Sequence, residues 1–203
     1  MTKIKLCGLS RPCEIIAANE LHPEYIGFVF AAGSRRHVSA EKALTLKRQL
    51  DAGIQAVGVF VNENPQTVAA LLNRGVIDLA QLHGGENEEY VKRLRMLTDK
   101  QIVKAFRIAS AEDIARAEAS AADYVLLDSG SGGTGKKFRW ELIGNIKRPY
   151  FLAGGLTPGN VRSAAALLNP YAVDVSSGIE TNGGKDIKKM ADFVAAVRKE
   201  DAI

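Results

Sequence analysis

The chain is poor in cysteine and histidine. Of its 203 residues two are cysteine, Cys7 and Cys13, and three are histidine. The two cysteines stand on either side of one strand-to-helix junction, which does not suit a structural disulfide, so a reducing compartment is expected. His22, His37 and His83 lack metal-ligand spacing, so no metal site is expected. Long apolar runs are missing, which excludes a membrane span. The start, MTKIKL, has no apolar h-region, so no secretory signal is read there and the expected location is cytoplasmic. A strong excess of one charge is also missing: 27 Lys and Arg face 23 Asp and Glu, for a net charge of +4. The basic residues are scattered without interleaved aromatics, so no nucleic-acid partner is expected. A mild positive surplus suits a small anionic ligand instead. Linkers and low-complexity tracts are absent, and 46% hydrophobic with 25% charged residues is a globular mix. One domain over 1–203 follows.

What is present is an alternation. Short apolar runs at 3–7, 25–30, 55–61, 78–82, 101–106, 122–127, 150–153 and 172–175 read as strands buried on both faces. Stretches of helical spacing lie between them. Val161, Ala164, Ala165 and Leu168 share one face; so do Ile187, Met190, Ala191 and Val194, and so do Tyr90, Leu94 and Leu97. Asn64-Pro65 and Thr157-Pro158 place a capping side chain before a first-turn proline. Ser39 before Glu41 and Ser110 before Asp113 put an acid in a first turn. A short sixth helix is expected near Trp140-Glu141-Leu142-Ile143. Alternating units imply a parallel sheet with right-handed crossovers. An open doubly wound sheet and a closed (β/α)8 TIM barrel both fit. The count of eight units favours the barrel, and so does the placing of the glycine signals after strands seven and eight rather than after strand one.

The motifs fall at strand ends. In FLAGGLTPGNV, Gly154-Gly155 let the backbone approach a phosphate, and a helix expected at Thr157-Pro158 supplies its positive end. The same glycines also suit a plain tight turn. In VDVSSGIETNGGKD, strand eight ends in Ser176-Ser177-Gly178, which bring hydroxyl and N–H donors. In a barrel these two loops are neighbours and commonly share one phosphate. Asp174, inside strand eight, reads as a hydrogen-bonded structural acid. Asp128 closes strand six in YVLLDSGSGGTGKK, where a carboxylate points into a barrel mouth. The glycines at 129–137 fit a lid or an ordinary loop equally. Cys7 closes strand one. A buried cysteine is often inert, but this one stands at the functional rim, and a nearby helix start is expected to lower its pKa. Cys13 reads as packing. Arg36 has the planar fork for a carboxylate, while Arg35 suits a solvated loop. His83 fits pocket lining and backbone bonding equally.

The set KLCGLSR, GFVF, SRRHV, QLHG, LLDSGSGGTG, LAGGLTPGNV and VDVSSGIETNGGKD closely resembles the phosphoribosylanthranilate isomerase family of tryptophan biosynthesis, in order from residue 4 to about residue 186. Position 35 is Arg where many relatives have Pro. The resemblance implies an isomerase of aromatic amino-acid biosynthesis that needs no cofactor and acts on a small phosphorylated substrate by an Amadori rearrangement. It implies Cys7 as general base and Asp128 as general acid, with Arg36 on the anthranilate carboxylate. His83 would line the pocket, and Gly154, Gly155, Ser177 and Gly178 would hold the phosphate. Monomer and homodimer are both compatible. The analogous isomerase of histidine biosynthesis would carry Asp where Cys7 stands. A Schiff-base aldolase would need a strand-end lysine, for which Lys104 is the candidate. A binding-only barrel would not need the Cys7–Asp128 pair.

Overall fold

The structure is a computed structural model, and it describes residues 1–128, 143 and 146–198. Eight parallel strands close into one barrel in sequence order, with the first pairing the last. They are β1 (Lys3–Cys7), β2 (Tyr25–Val29), β3 (Gln55–Phe60), β4 (Leu79–Leu82), β5 (Ile102–Arg107), β6 (Tyr124–Asp128), β7 (Tyr150–Ala153) and β8 (Ala172–Val175). The helices among the described residues are α1 (Pro12–Leu21), α2 (Ala40–Lys47), α3 (Pro65–Asn73), α4 (Glu88–Arg95), α5 (Ala111–Ala119), α6 (Val161–Leu168) and α7 (Ile187–Arg198). After β8 come a short 3-10 turn, Ser177–Ile179, and a two-stranded hairpin of β9 (Glu180–Thr181) and β10 (Gly184–Lys185). The helix expected near Trp140 and the loop 129–137 lie outside the described residues.

The strands read as unbroken apolar runs because both faces are covered. On β1, Ile4 and Leu6 point outward into the layer shared with the helices. Ile26, Phe28, Val125, Leu127, Leu152 and Val173 do the same on their strands. Each such side chain contributes about 1.5–3 kcal/mol when fully buried, which is why the helices wrap this cylinder. The alternate residues fill the barrel itself: Tyr25, Val57, Leu79, Val103, Leu126, Phe151 and Ala172 form an inner plug. Above it Cys7, Val29 and Val59 form a thinner layer at the mouth.

Several local signals act as expected. The Asn64 side chain accepts from the Gln66 N–H, and Ser39 accepts from the Lys42 N–H. Asp113 Oδ2 accepts from the Ala109 and Ser110 N–H groups and starts α5. Thr157-Pro158 differs from expectation. It forms a turn, and α6 starts at Val161. The Asn160 side chain explains this, because it accepts from the Thr157 N–H at 2.7 Å and donates to the Gly155 carbonyl at 2.9 Å. On α7 the buried face is Met190, Phe193, Val194 and Val197, while Ile187 is exposed. Cys13 is exposed on α1, so it does not pack in the core. No described helix is long and apolar enough to cross a membrane.

Candidate active site

Parallel closure brings the carboxyl ends of all eight strands to one rim of the barrel. There a cavity of about 450 Å³ opens, lined by Cys7, Arg36, His83, Asp128, Gly154, Gly155 and Ser177, with Gln81, Asp174 and Ser176 among the others. Thus seven of the eight residues singled out from the sequence share one cavity. The eighth, Gly178, lies behind the wall and joins two loops. A Cβ on it would come within 1.8 Å of the Leu156 carbonyl oxygen. Only glycine lets the loop after β8 press this closely on the loop after β7. Gly154 and Gly155 themselves take φ of 92° and 64°, a left-handed path that turns the chain across the mouth.

Cys7 ends β1 and is 7% exposed. Its register partner on β2 is Gly27, where a Cβ would come within 2.6 Å of Sγ. The thiol therefore occupies the space a β2 side chain would take. Burial pushes it above its ordinary pKa. Lys5 and Lys185 pull it down and Asp174 pushes it up, but burial decides the direction. This corrects the expectation of a lowered thiol: the sequence showed a nearby helix start but not the loss of water around sulfur.

Asp128 ends β6 and is partly exposed to the cavity. His83 Nε2 sits 3.4 Å from its Oδ2. On the other side of the imidazole, Gln81 Nε2 meets His83 Nδ1 at 2.8 Å. An amide nitrogen donates, so Nδ1 accepts and the neutral ring carries its proton on Nε2, toward Asp128. The His83 ring thus faces Asp128 and is bonded to the Gln81 side chain rather than to backbone.

Arg36 lies in the loop after β2. Its guanidinium grips Glu180 of β9 through Nε–Oε1 at 2.6 Å and Nη2–Oε2 at 2.9 Å. Lys185 of β10 completes the group, with Nζ 2.8 Å from Glu180 Oε1, 2.9 Å from the Ser176 carbonyl oxygen and 3.2 Å from its hydroxyl. Lys104 is elsewhere. Its neighbours Val103 and Ala105 face the barrel interior, and its Nζ is buried against Glu86 Oε2 at 3.1 Å and the Gly84 carbonyl. A Schiff-base aldolase loses its lysine.

The sequence reading missed Gln81, Glu180 and Lys185, and gave Lys5 no role. Strand alternation could have found two of them. Counting back two from Cys7 and from His83 gives the inward residues Lys5 and Gln81. Glu180 and Lys185 carry no such signal, because the hairpin that folds them over the mouth is only two residues long on each side.

Fold and cavity together define a (β/α)8-barrel enzyme. Comparison with known proteins then narrows the class. Residues 4–196 match the family N-(5'phosphoribosyl)anthranilate (PRA) isomerase. The N-(5'-phosphoribosyl)anthranilate isomerase of Endomicrobium trichonymphae is 44% identical, with 98% of this chain and 99% of the relative covered. The crystal structure of phosphoribosyl anthranilate isomerase from Thermotoga maritima superposes with a TM-score of 0.89 at 33% identity, covering 98% of this chain and all (100%) of that one. A phosphoribosyl anthranilate isomerase solved in complex with reduced 1-(o-carboxyphenylamino)-1-deoxyribulose 5-phosphate superposes with a TM-score of 0.87 at 32% identity, with 98% and 100% covered. The chain belongs to the N-(5'-phosphoribosyl)anthranilate isomerase family.

Proposed function

We propose that this chain forms one barrel domain over 1–203 and converts N-(5'-phosphoribosyl)anthranilate to 1-(2-carboxyphenylamino)-1-deoxyribulose 5-phosphate in tryptophan biosynthesis, with Asp128 as general acid and Cys7 as general base. The observation that carries the assignment is the shared cavity: a thiol from β1, a carboxyl from β6 and the paired loops after β7 and β8 all line it. The Gly154-Gly155 turn and the Ser177-Gly178 turn offer N–H groups to the phosphate. Holding that remote anion fixes the small ribose between the two reacting groups.

Asp128, protonated, gives its proton to the furanose ring oxygen. The C1–O bond breaks as the anthranilate nitrogen supplies its lone pair, leaving an iminium. The Cys7 thiolate takes the proton from C2, and those electrons move to the iminium nitrogen, giving an enolamine. Loss of the C2 hydroxyl proton and gain of a proton at C1 give the ketone. One proton thus passes from Asp128 to Cys7 through the substrate and returns by solvent. His83, through its Nε2–H, holds Asp128 toward the ring oxygen. Arg36 has five N–H donors, and Glu180 uses two of them on the Nε edge. The opposite edge, Nη1 and Nη2, takes the anthranilate carboxylate.

Cys7→Ala and Asp128→Asn should each lower kcat by roughly 10²–10⁴-fold while the reduced product analogue still binds. Loss of anthranilate-type fluorescence during turnover and calorimetric binding of the analogue separate the two effects. Near-normal rates in both variants contradict the assignment.

A further inference from the structure

Lys5 is an ammonium group with 0% exposure inside a barrel whose plug is mostly apolar, with Gln81 and Asp174 as buried polar neighbours on the inward side. It lies two residues before Cys7 on the same inward side of β1. Its register partner across the closing seam of the barrel is Asp174 on β8. Lys5 Nζ contacts both Asp174 oxygens at 3.0 Å, and Asp174 is itself only 8% exposed. Of the charges near Cys7, Lys5 does most to pull the thiol's pKa down, against the burial that raises it.

A buried ion pair is a poor way to gain stability. Taking both charges out of water costs several kcal/mol per ion, and an apolar pair of equal volume often does as well. Packing alone therefore does not account for a lysine where Leu or Met would complete the plug. Its placing directly beneath the thiol does. The thiolate needed to take a proton from carbon has no water around it, and the charges that face Cys7 are Lys5 on β1, Asp174 on β8, Lys185 on β10 and Arg36 from the loop after β2, with His83 and Asp128 in the same cavity. Lys5 is nearest in the strand and fully dehydrated. Asp174 keeps it charged: burial works against the ammonium, but Asp174 and Cys7 outweigh it and raise its pKa.

We propose that Lys5, held in its charged state by Asp174, is the positioning residue that stabilises the Cys7 thiolate and orients its sulfur toward the substrate. The inference rests on Cys7 being the base. It assigns the pair a task in proton transfer: Lys5 is the counter-ion when sulfur is charged, and Asp174 takes over as sole partner once sulfur carries the substrate's proton.

The test reads the thiol directly, in a Cys13→Ser background so that Cys7 alone reacts. The rate of Cys7 alkylation by iodoacetamide is measured against pH by mass spectrometry, beside the pH profile of kcat/KM. Lys5→Met leaves Asp174 buried without its partner and can fail to fold. Lys5→Met with Asp174→Asn removes both charges together and keeps the volume. In the double variant the thiol titration should move up by about one unit or more, with about a tenfold smaller thiolate fraction at pH 7. The acid limb of kcat/KM should move up by the same amount, so that activity partly returns at high pH. A double variant with the parent's thiol titration and the parent's pH profile shows the pair to be structural and overturns the proposal. A thiol titration that moves while kcat/KM stays fixed supports the tuning by Lys5 and contradicts Cys7 as base, so the two ideas fail separately.

Discussion

The Glu180 carboxylate sits among three cations, Arg35, Arg36 and Lys185, with contacts of 2.6–2.9 Å. Burial alone would push its pKa up. The hydrogen bonds from Arg36 and Lys185 outweigh burial and hold it down at about 2, against an ordinary 4.5. Its contribution to stability is therefore complete above about pH 4.5 and fades as the pH falls toward 2. Glu180→Gln leaves Lys185 buried without its carboxylate. It should cost about 2–4 kcal/mol at neutral pH and flatten the fall in urea midpoint between pH 4.5 and 2. An unchanged slope in that window would remove Glu180 from the account. The residues at strand ends were legible in the sequence, because a barrel sends the last residue of each strand to one rim. Cys7, Asp128 and His83 were found that way. The Lys5–Asp174 and Arg36–Glu180 contacts were not, since each joins residues more than a hundred positions apart and exists only once β1 meets β8. The direction of the Cys7 titration was misread for the same reason.

At the scale of elements, the loops after β7 and β8 act as one unit. Their contact at Gly178 tolerates no side chain. Gly178→Ala should push the loops apart and weaken the phosphate grip, raising KM about tenfold or more with a smaller change in kcat. Steady-state kinetics on phosphoribosylanthranilate reads this, and an unchanged KM would place the phosphate elsewhere. All eight strands could be read from the sequence because being covered on both faces leaves no polar alternation to confuse with a helix. Helix starts were read at Asn64, Ser39 and Ser110, but not at Asn87, whose side chain accepts from the Tyr90 N–H and opens α4. At Thr157-Pro158 the same pair of residue types builds a turn instead, since Asn160 captures the Thr157 N–H. The face of α1 was also not legible. PCEIIAANEL is apolar nearly all round, so periodicity alone does not say that Cys13 and Ile16 face out while Ile15 and Ala18 face in.

The whole molecule carries a net charge of +4, and the ligand of the proposed reaction carries a phosphate and a carboxylate. Both the surplus and the cluster at the mouth attract it. The value of kcat/KM should therefore fall as ionic strength rises from about 0.01 M to 0.5 M, because the Debye length shrinks from roughly 30 Å to under 10 Å. A salt-independent kcat/KM would mean that long-range attraction plays no part in capture. Architecture at this scale was the most legible of all: eight repeated units and two late glycine loops suffice to choose a barrel over an open sheet.

The central claim is spatial, and a crystal structure of this chain with the reduced product analogue tests it most directly. The account predicts the phosphate on the Gly154-Gly155 and Ser177-Gly178 loops, the carboxylate on Arg36, and Cys7 Sγ within roughly 3–3.5 Å of C2. A ligand bound with its phosphate away from those loops, or with C2 out of reach of the Cys7 sulfur, contradicts it.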